Sequence, residues 1–340
     1  MAASFTQLVF DGVADGSVGV TLDILGAASR IVRAGLHDAP KTRMPARSRI
    51  VSIDGEPVRT GAQRNLAVDG ALNLRNLGRD DVLIVPGLGL ATPPQIDTAL
   101  QRPDIVRGRE LIARAAARGM LVGASCSATF VLAASGALDG REATTTWWLG
   151  PTFAQRFPRV ALRNDRMVVQ AEQLFTAGSA FAHADLVLAI LTRTVSPSLA
   201  HLVAKYLVLD ERASQARYMV LEHLRSADPV VQALERFIGA NLSRQLTVPQ
   251  MARATATSPR SLARKLDQAL GISPLHFAHR LRIAHAVHLL ETTRHSIDVI
   301  AARVGYADPA AFRRIFRRET GEAPNARRAQ LRAAASHRGE

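Results

Sequence analysis

Residues 120–136, MLVGASCSATFVLAASG, decide how the first half of the chain reads. MLVGAS (120–125) reads as a strand and CSATFVLAASG (126–136) as a helix, with a turn of small residues between them. The uncharged stretch 119–138 is long enough to raise a membrane span. Its three Gly, three Ser and one Thr fit a strand, a turn and a helix better. Cys126, the chain's single cysteine, stands on that turn, so an internal disulfide is excluded and a reducing compartment fits.

Outward from this stretch the same grammar repeats. FTQLVF (5–10), RIVSID (49–54) and DVLIVPG (81–87) read as strands, and 18–34 and 104–119 as helices with one apolar face. Residues 137–150 and 160–179 are shorter and more hairpin-like, and a helix from His183 closes the region near residue 194. Strands alternating with helices predict an α/β domain over 1–194, with a mostly parallel sheet and helices on both faces. In such sheets ligands collect at the C-terminal ends of strands, where Gly87 and Cys126 fall. Residues 195–228 read as a helical linker and 333–340 as a flexible tail.

Charge divides the chain further. The formal net charge is +14; residues 229–340 hold 18 basic and 8 acidic residues, and the first 228 are left with a net of only +4. A basic module beside a near-neutral one points to a polyanion partner. No Lys or Arg precedes Arg30, so the start lacks the charged region of a secretory signal, and a cytoplasmic protein without a membrane span is expected.

Residues 229–332 read as helices only. Asp228-Pro229, Ser258-Pro259, Ser273-Pro274 and Asp308-Pro309 each pair a capping oxygen with a proline at the first helical position, where a missing N–H costs nothing. An internal repeat runs through them. Thr247-Val248-x-x-Met251-Ala252 returns as Ser296-Ile297-x-x-Ile300-Ala301. Ser258-Pro259-x-x-Leu262-x-x-x-Leu266 returns as Asp308-Pro309-x-x-Phe312-x-x-x-Phe316, and Gly271-x-x-Pro274 as Gly321-x-x-Pro324. Each copy is a helix, a tight turn and a second helix that would enter a DNA major groove. On the second helices, Arg260, Arg264, Arg313 and Arg314 are placed for bases or their rim, and Lys265, Arg317 and Arg318 for phosphates.

Residues 229–332 resemble the tandem helix-turn-helix domain of AraC-type regulators, most specifically in SIDVIAARVGYADPAAFRRIFRRETGEAP. The resemblance puts the base-reading positions at Arg260, Ala263 and Arg264, then at Pro309, Ala310, Arg313 and Arg314. Pro309 and Ala310 offer bases no hydrogen bond, so the second helix would read through its arginines. The helix from Pro274 to about Glu291 would space the two units.

Residues 1–195 resemble the PfpI/ThiJ-like domain, a relative of class I glutamine amidotransferases. The carriers are DVLIVPG, GASCSATFVLAASGALDGREATT and LFTAGSAFAHADLVLAIL. Together the two halves have the arrangement of GlxA-like regulators. The resemblance implies a nucleophile position at Cys126 and an acid position at Asp23. The expected histidines are replaced by Ser127 and by Thr146 ahead of Trp147, and His183 lies on a separate helix. A thiol needs a placed base or cation to ionise. The turn therefore reads as a binding pocket lined by Asp23, Gly87, Leu88, Cys126, Ser127, Thr146 and Trp147. Its backbone N–H groups would suit an anionic or polar effector, and Trp147 either covers a cationic group or packs in the core. The competing reading is a cysteine hydrolase, amidase or glyoxalase-like enzyme using Cys126. No metal or cofactor is expected; His276, His279, His285 and His288 read as solvent-facing residues of the spacer helix. The partners expected are double-stranded promoter DNA, a small-molecule effector, a second copy of the chain and the transcription machinery.

Overall fold

The computed structural model describes residues 4–37, 47–210, 212, 215, 228–270 and 272–329. The expected turn glycine Gly271 and the tail 333–340 lie outside the described residues. The chain divides into two units, Met1–Gln215 and Ala216–Glu340.

In the first unit, β1 (Ser4–Leu8), α1 (Asp15–Arg33) and β2 (Arg47–Val51) are followed by the short β3 (Val58–Arg59) and β4 (Asn65–Leu66) and by β5 (Val82–Val85). Then come α2 (Pro93–Leu100), α3 (Pro103–Ala117), β6 (Leu121–Ser125), α4 (Ala128–Ala134), β7 (Glu142–Ala143), α5 (Gly150–Arg156) and β8 (Ala161–Leu162). The unit ends with β9 (Val168–Ala171), β10 (Leu174–Ala177), α6 (Ala182–Thr194) and α7 (Pro197–Tyr206). The main sheet has the order β2-β1-β5-β6-β10-β9, parallel except for the β10–β9 hairpin at one edge.

Period-2 alternation makes two cores. Leu83 and Val85 of β5 point into one with Ile96, Ile105, Ile112, Phe130 and Phe153 from α2 to α5. Val82 and Ile84 point into the other with Ile24 and Ile31 of α1 and Leu186 and Ile190 of α6. The expected mostly parallel sheet with helices on both faces is the architecture found.

The expected boundary at residue 194 falls short. Leu199 and Val203 of α7 are fully buried in the second core, and α7 packs on both α1 and α6. That apolar face belongs to the α/β unit and cannot serve as a linker, because exposing it would forfeit about 1.5–3 kcal/mol for each large side chain.

The second unit contains α8 (Pro229–Ala240), α9 (Val248–Ala254), α10 (Pro259–Leu270), α11 (Pro274–Thr292), α12 (Ile297–Arg303) and α13 (Pro309–Thr320). The capping oxygens act as the sequence suggests: Asp228 accepts from Val230 N, Ser258 from Ser261 N, Ser273 from His276 N, and Asp308 from Ala310 N and Ala311 N. The repeat is visible in the backbone. Just past the C-caps of α9 and α12, Ala256 (φ 52°) and Gly305 (φ 80°) take the same left-handed conformation. α11 packs against α8, α9 and α10 and against α12 and α13, so it joins the two helix-turn-helix units.

Candidate functional sites: the arginine faces and the cysteine turn

The second helix of each helix-turn-helix has a buried stripe and a charged back. Leu262 and Leu266 are fully buried on α10, and Phe312 and Phe316 on α13. The opposite faces expose Arg260 and Arg264, and Arg313, Arg314, Arg317 and Arg318. Ala263 and Pro309 are half-buried, and Ala310 is exposed. Two of these cations are already held. Arg313 Nη2 donates to Asp298 Oδ1 of α12 at 2.7 Å, and Arg318 pairs with the buried Glu319 at 2.9 Å. Lys265, expected on phosphate, instead donates to Asp228 Oδ2 at 2.9 Å and ties α10 to the cap of α8. Arg260, Arg264, Arg314 and Arg317 make no ion pair among the described residues.

Two of the four spacer histidines depart from the solvent-facing expectation. His279 is half-buried, stacked on Tyr306 and 2.8 Å from its hydroxyl, and His276 lies 3.3 Å from Glu319. Both fasten α11 to the second unit's core. His285 and His288 are exposed. Among the described residues no group of three or more His, Cys, Asp or Glu could hold a metal ion, and no helix is long and apolar enough to cross a membrane.

In the first unit the chain leaves β6 at Ser125 and turns sharply into α4. Cys126 absorbs the bend at φ 54°, a conformation that costs a non-glycine residue of order 1–3 kcal/mol and persists only where its surroundings enforce it. Its N–H donates to Ala177 O (3.0 Å) and Gly178 O (2.7 Å), and its carbonyl accepts from Thr145 Oγ1 at 2.9 Å. Gly87 is needed opposite: a Cβ there would lie 2.9 Å from the Cys126 Cβ. Ser127 Oγ donates to Leu88 O at 2.5 Å. Trp147 is buried edge-on against Trp148, and Asn164 Nδ2 donates to its carbonyl at 3.1 Å.

Of the seven expected lining residues, Gly87, Leu88, Cys126, Ser127 and Thr146 meet at the turn, and Trp147, next after Thr146 in the chain, packs on Trp148; all six are buried. Asp23 is not among them. Helical spacing puts Ser17, Thr21, Ile24 and Leu25 on the inner face of α1 and leaves Asp23 exposed. Of the backbone N–H groups at the turn, that of Cys126 is already taken, by Ala177 O and Gly178 O at the end of β10. Burial pushes the thiol above its ordinary range, against weaker opposing hydrogen bonds from the Ser127 backbone, its hydroxyl and Thr146. Cavities of about 350 Å³ beside Ser135 and Gly136, and about 270 Å³ between α1 and α7, lie away from the turn.

Two more residues close on this turn: His183, which the sequence set apart on a separate helix and the structure brings beside Ser125, and Gln215, which sequence reasoning missed. His183, on α6, is buried with Nδ1 2.8 Å from Ser125 Oγ and Nε2 2.7 Å from Thr21 Oγ1. Thr21 directs its own proton to Ser17 O at 3.2 Å, which puts the imidazole hydrogen on Nε2 and leaves Nδ1 to accept from Ser125. Burial lowers the imidazole pKa to about 3, so the ring is neutral. Gln215 lies 1% exposed, with Nε2 donating to Thr145 O (2.9 Å), Asn164 O (2.8 Å) and Thr144 Oγ1 (3.2 Å). The run Thr144-Thr145-Thr146 was the available signal, since three consecutive buried hydroxyls need partners.

The fold and the two sites define the class: an α/β domain with a strained cysteine turn, followed by a tandem helix-turn-helix domain of the AraC type. The DJ-1/PfpI family profile matches residues 8–193, and that of a helix-turn-helix domain matches residues 251–330. The chain belongs to the DJ-1/PfpI family. It is 29% identical over 213 residues to the HTH-type transcriptional regulator GlxA of Rhizobium meliloti, covering 62% of this chain and 65% of that protein. It is 27% identical over 289 residues to the HTH-type transcriptional regulator CdhR of Pseudomonas aeruginosa, covering 83% and 81%. Among solved structures, an AraC family transcriptional regulator from Pseudomonas putida superposes with a TM-score of 0.48 at 23% identity, over 60% of this chain and 99% of that one. The combination of a DJ-1/PfpI domain and a helix-turn-helix DNA-binding domain is that of a transcriptional regulator.

Proposed function

We propose that the protein is a sequence-specific regulator of transcription in the cytoplasm, and that its DJ-1/PfpI domain binds a small-molecule effector without catalysing a reaction. The observation that carries the DNA reading is the repeated pair of second helices, α10 and α13. Each has a fully buried apolar stripe and an exposed arginine face. Arg260 and Arg264 on α10 and Arg313 and Arg314 on α13 read bases, and Arg317 and Arg318 hold phosphates. Arg313 reaches the groove from its ion pair with Asp298, while Lys265 serves the fold.

The non-catalytic reading is supported at the cysteine turn. The thiol is buried with a raised pKa, and His183 spends both ring nitrogens on hydroxyls. Residues Gly87, Leu88, Cys126, Ser127, Thr146 and Trp147 form the effector's receiving site. Two copies of the chain pair to set half-sites along a promoter, where the transcription machinery is the further partner.

Selection of genomic fragments by the purified full chain at moderate salt tests this. Enrichment of defined fragments supports it. Equal retention of random duplex, with and without a panel of small metabolites, would sink it.

A further inference from the structure

Gln215 is the last residue of the first unit, and beyond Ala216 the chain belongs to the DNA-binding unit. Its side chain is nevertheless among the most buried polar groups of the α/β domain. Three acceptors surround one amide nitrogen, which has two hydrogens to give: Thr145 O, Asn164 O and Thr144 Oγ1. Thr144 is committed as an acceptor here because its own proton goes to Arg166 O at 2.9 Å. The Gln215 backbone N–H donates to Asp165 O at 2.9 Å. A second point of attachment lies at Arg212, whose guanidinium donates to Phe181 O (2.8 Å) and pairs with Asp185 at 2.5 Å.

The other half of the carboxamide fits differently. Oε1 of Gln215 is buried with no hydrogen-bond partner among the described residues, as is Oδ1 of Asn164. Gly178 is what admits it: a Cβ there would lie 2.2 Å from Oε1. Gln215 is therefore held by its donors and penalised at its acceptor, a combination that favours binding yet leaves release accessible, since water would satisfy Oε1 on departure. Two of the groups it touches also hold the cysteine turn. Thr145 accepts from Gln215 and donates to Cys126 O, and Gly178 packs against Oε1 while accepting from Cys126 N.

We propose that Gln215 is an intramolecular ligand of the DJ-1/PfpI domain. Its carboxamide occupies a recognition site built from Thr144, Thr145, Asn164 and Gly178 behind the Cys126 turn, and its release passes a change at that turn to the DNA-binding domain. The coupling half rests on the regulator reading above; the site itself does not. A rearrangement of Thr145 or Gly178 removes an acceptor or fills the space for Oε1, and either expels the carboxamide.

The test evicts Gln215 from opposite sides. Gln215→Glu removes the donors and sets a carboxylate among acceptors; Gly178→Ala fills the space from the domain side. The initial rate of tryptic cleavage after Arg212 is followed by mass spectrometry on the full chain, with thermal melts to establish that the α/β domain stays folded. Both variants are expected to be cut about tenfold faster than wild type. Their affinity for the selected DNA fragment should shift by about fivefold or more. If one variant melts early, Gln215→Met, which keeps the length and loses the donors, replaces it. Cleavage at the wild-type rate in folded variants overturns the site. Faster cleavage with unchanged DNA affinity overturns the coupling. If wild type itself shows no fragment preference, the regulator reading fails, and the cleavage rates still decide whether the site exists.

Discussion

Nδ1 of His183 lies 2.8 Å from Oγ of Ser125, the residue immediately before Cys126. The fold thus brings an imidazole from α6 to the cysteine turn and engages it one residue short of the thiol. Thr21 takes the other ring nitrogen. The three side chains stitch α1, β6 and α6 together through a buried neutral network, which is worth most when every member is satisfied.

Cys126 should behave as an inert thiol. With its pKa raised by burial, it is expected to react with a disulfide reagent at pH 8 at least about 100-fold more slowly than when unfolded, and Cys126→Ser should leave DNA binding intact. Hydrolysis of an amide or conversion of a 2-oxoaldehyde that vanishes in Cys126→Ser would restore the enzyme reading.

His183 should make stability fall on mild acidification. Its folded pKa is about 3 and its unfolded value about 6.5, so the folded state resists protonation and the unfolded state does not. The contribution is whole above pH 6.5 and is lost as pH falls toward 3. Between pH 7 and pH 5 it removes about 2 kcal/mol. Urea titrations of wild type and His183→Gln across that range should show the steeper slope in wild type, the half-buried His279 contributing in both; parallel curves would assign the pH dependence elsewhere.

The arginine faces should separate by role. Arg264→Ala or Arg314→Ala is expected to cost about 1–3 kcal/mol on a selected fragment and to relax preference locally, while Arg317→Ala weakens all duplexes alike and lowers the salt slope by about one. Lys265→Ala should leave the salt slope unchanged and instead lower the melting temperature of the DNA-binding unit, through loss of its pair with Asp228. Identical salt slopes for Arg317→Ala and wild type would contradict the phosphate assignment.

Ala256→Gly should stabilise the DNA-binding unit. A left-handed backbone strains alanine by about 1–2 kcal/mol, and glycine forfeits about 0.5–1 in chain entropy, leaving a gain of about 0.5–1 kcal/mol. Gly305→Ala, at the equivalent turn of the second copy, should do the reverse and more, because its Cβ would meet Leu242 O at 2.4 Å. Denaturant melts of the two variants measure both.

Much of this protein was legible before folding, for reasons that act over a few residues. The unbroken apolar run Val82–Val85 marked a strand buried between helices on both faces of a sheet. Ser or Asp before Pro placed the helix starts, since a capping oxygen and a proline both act within the first turn. The 49–50-residue repeat placed Arg260 and Arg264, and Arg313 and Arg314, off the buried stripe of their helices. What tertiary structure alone decided was pairing across long stretches of chain. His183 meets Ser125 across 58 residues, Gln215 meets Thr145 across 70, and Lys265 meets Asp228 across 37. A histidine, a glutamine or a lysine has the same local propensities whether it faces water or a buried acceptor. Only tertiary packing, such as that of α6 on the sheet and of α10 on α8, chose among those partners, through burial that makes an unpaired polar group costly.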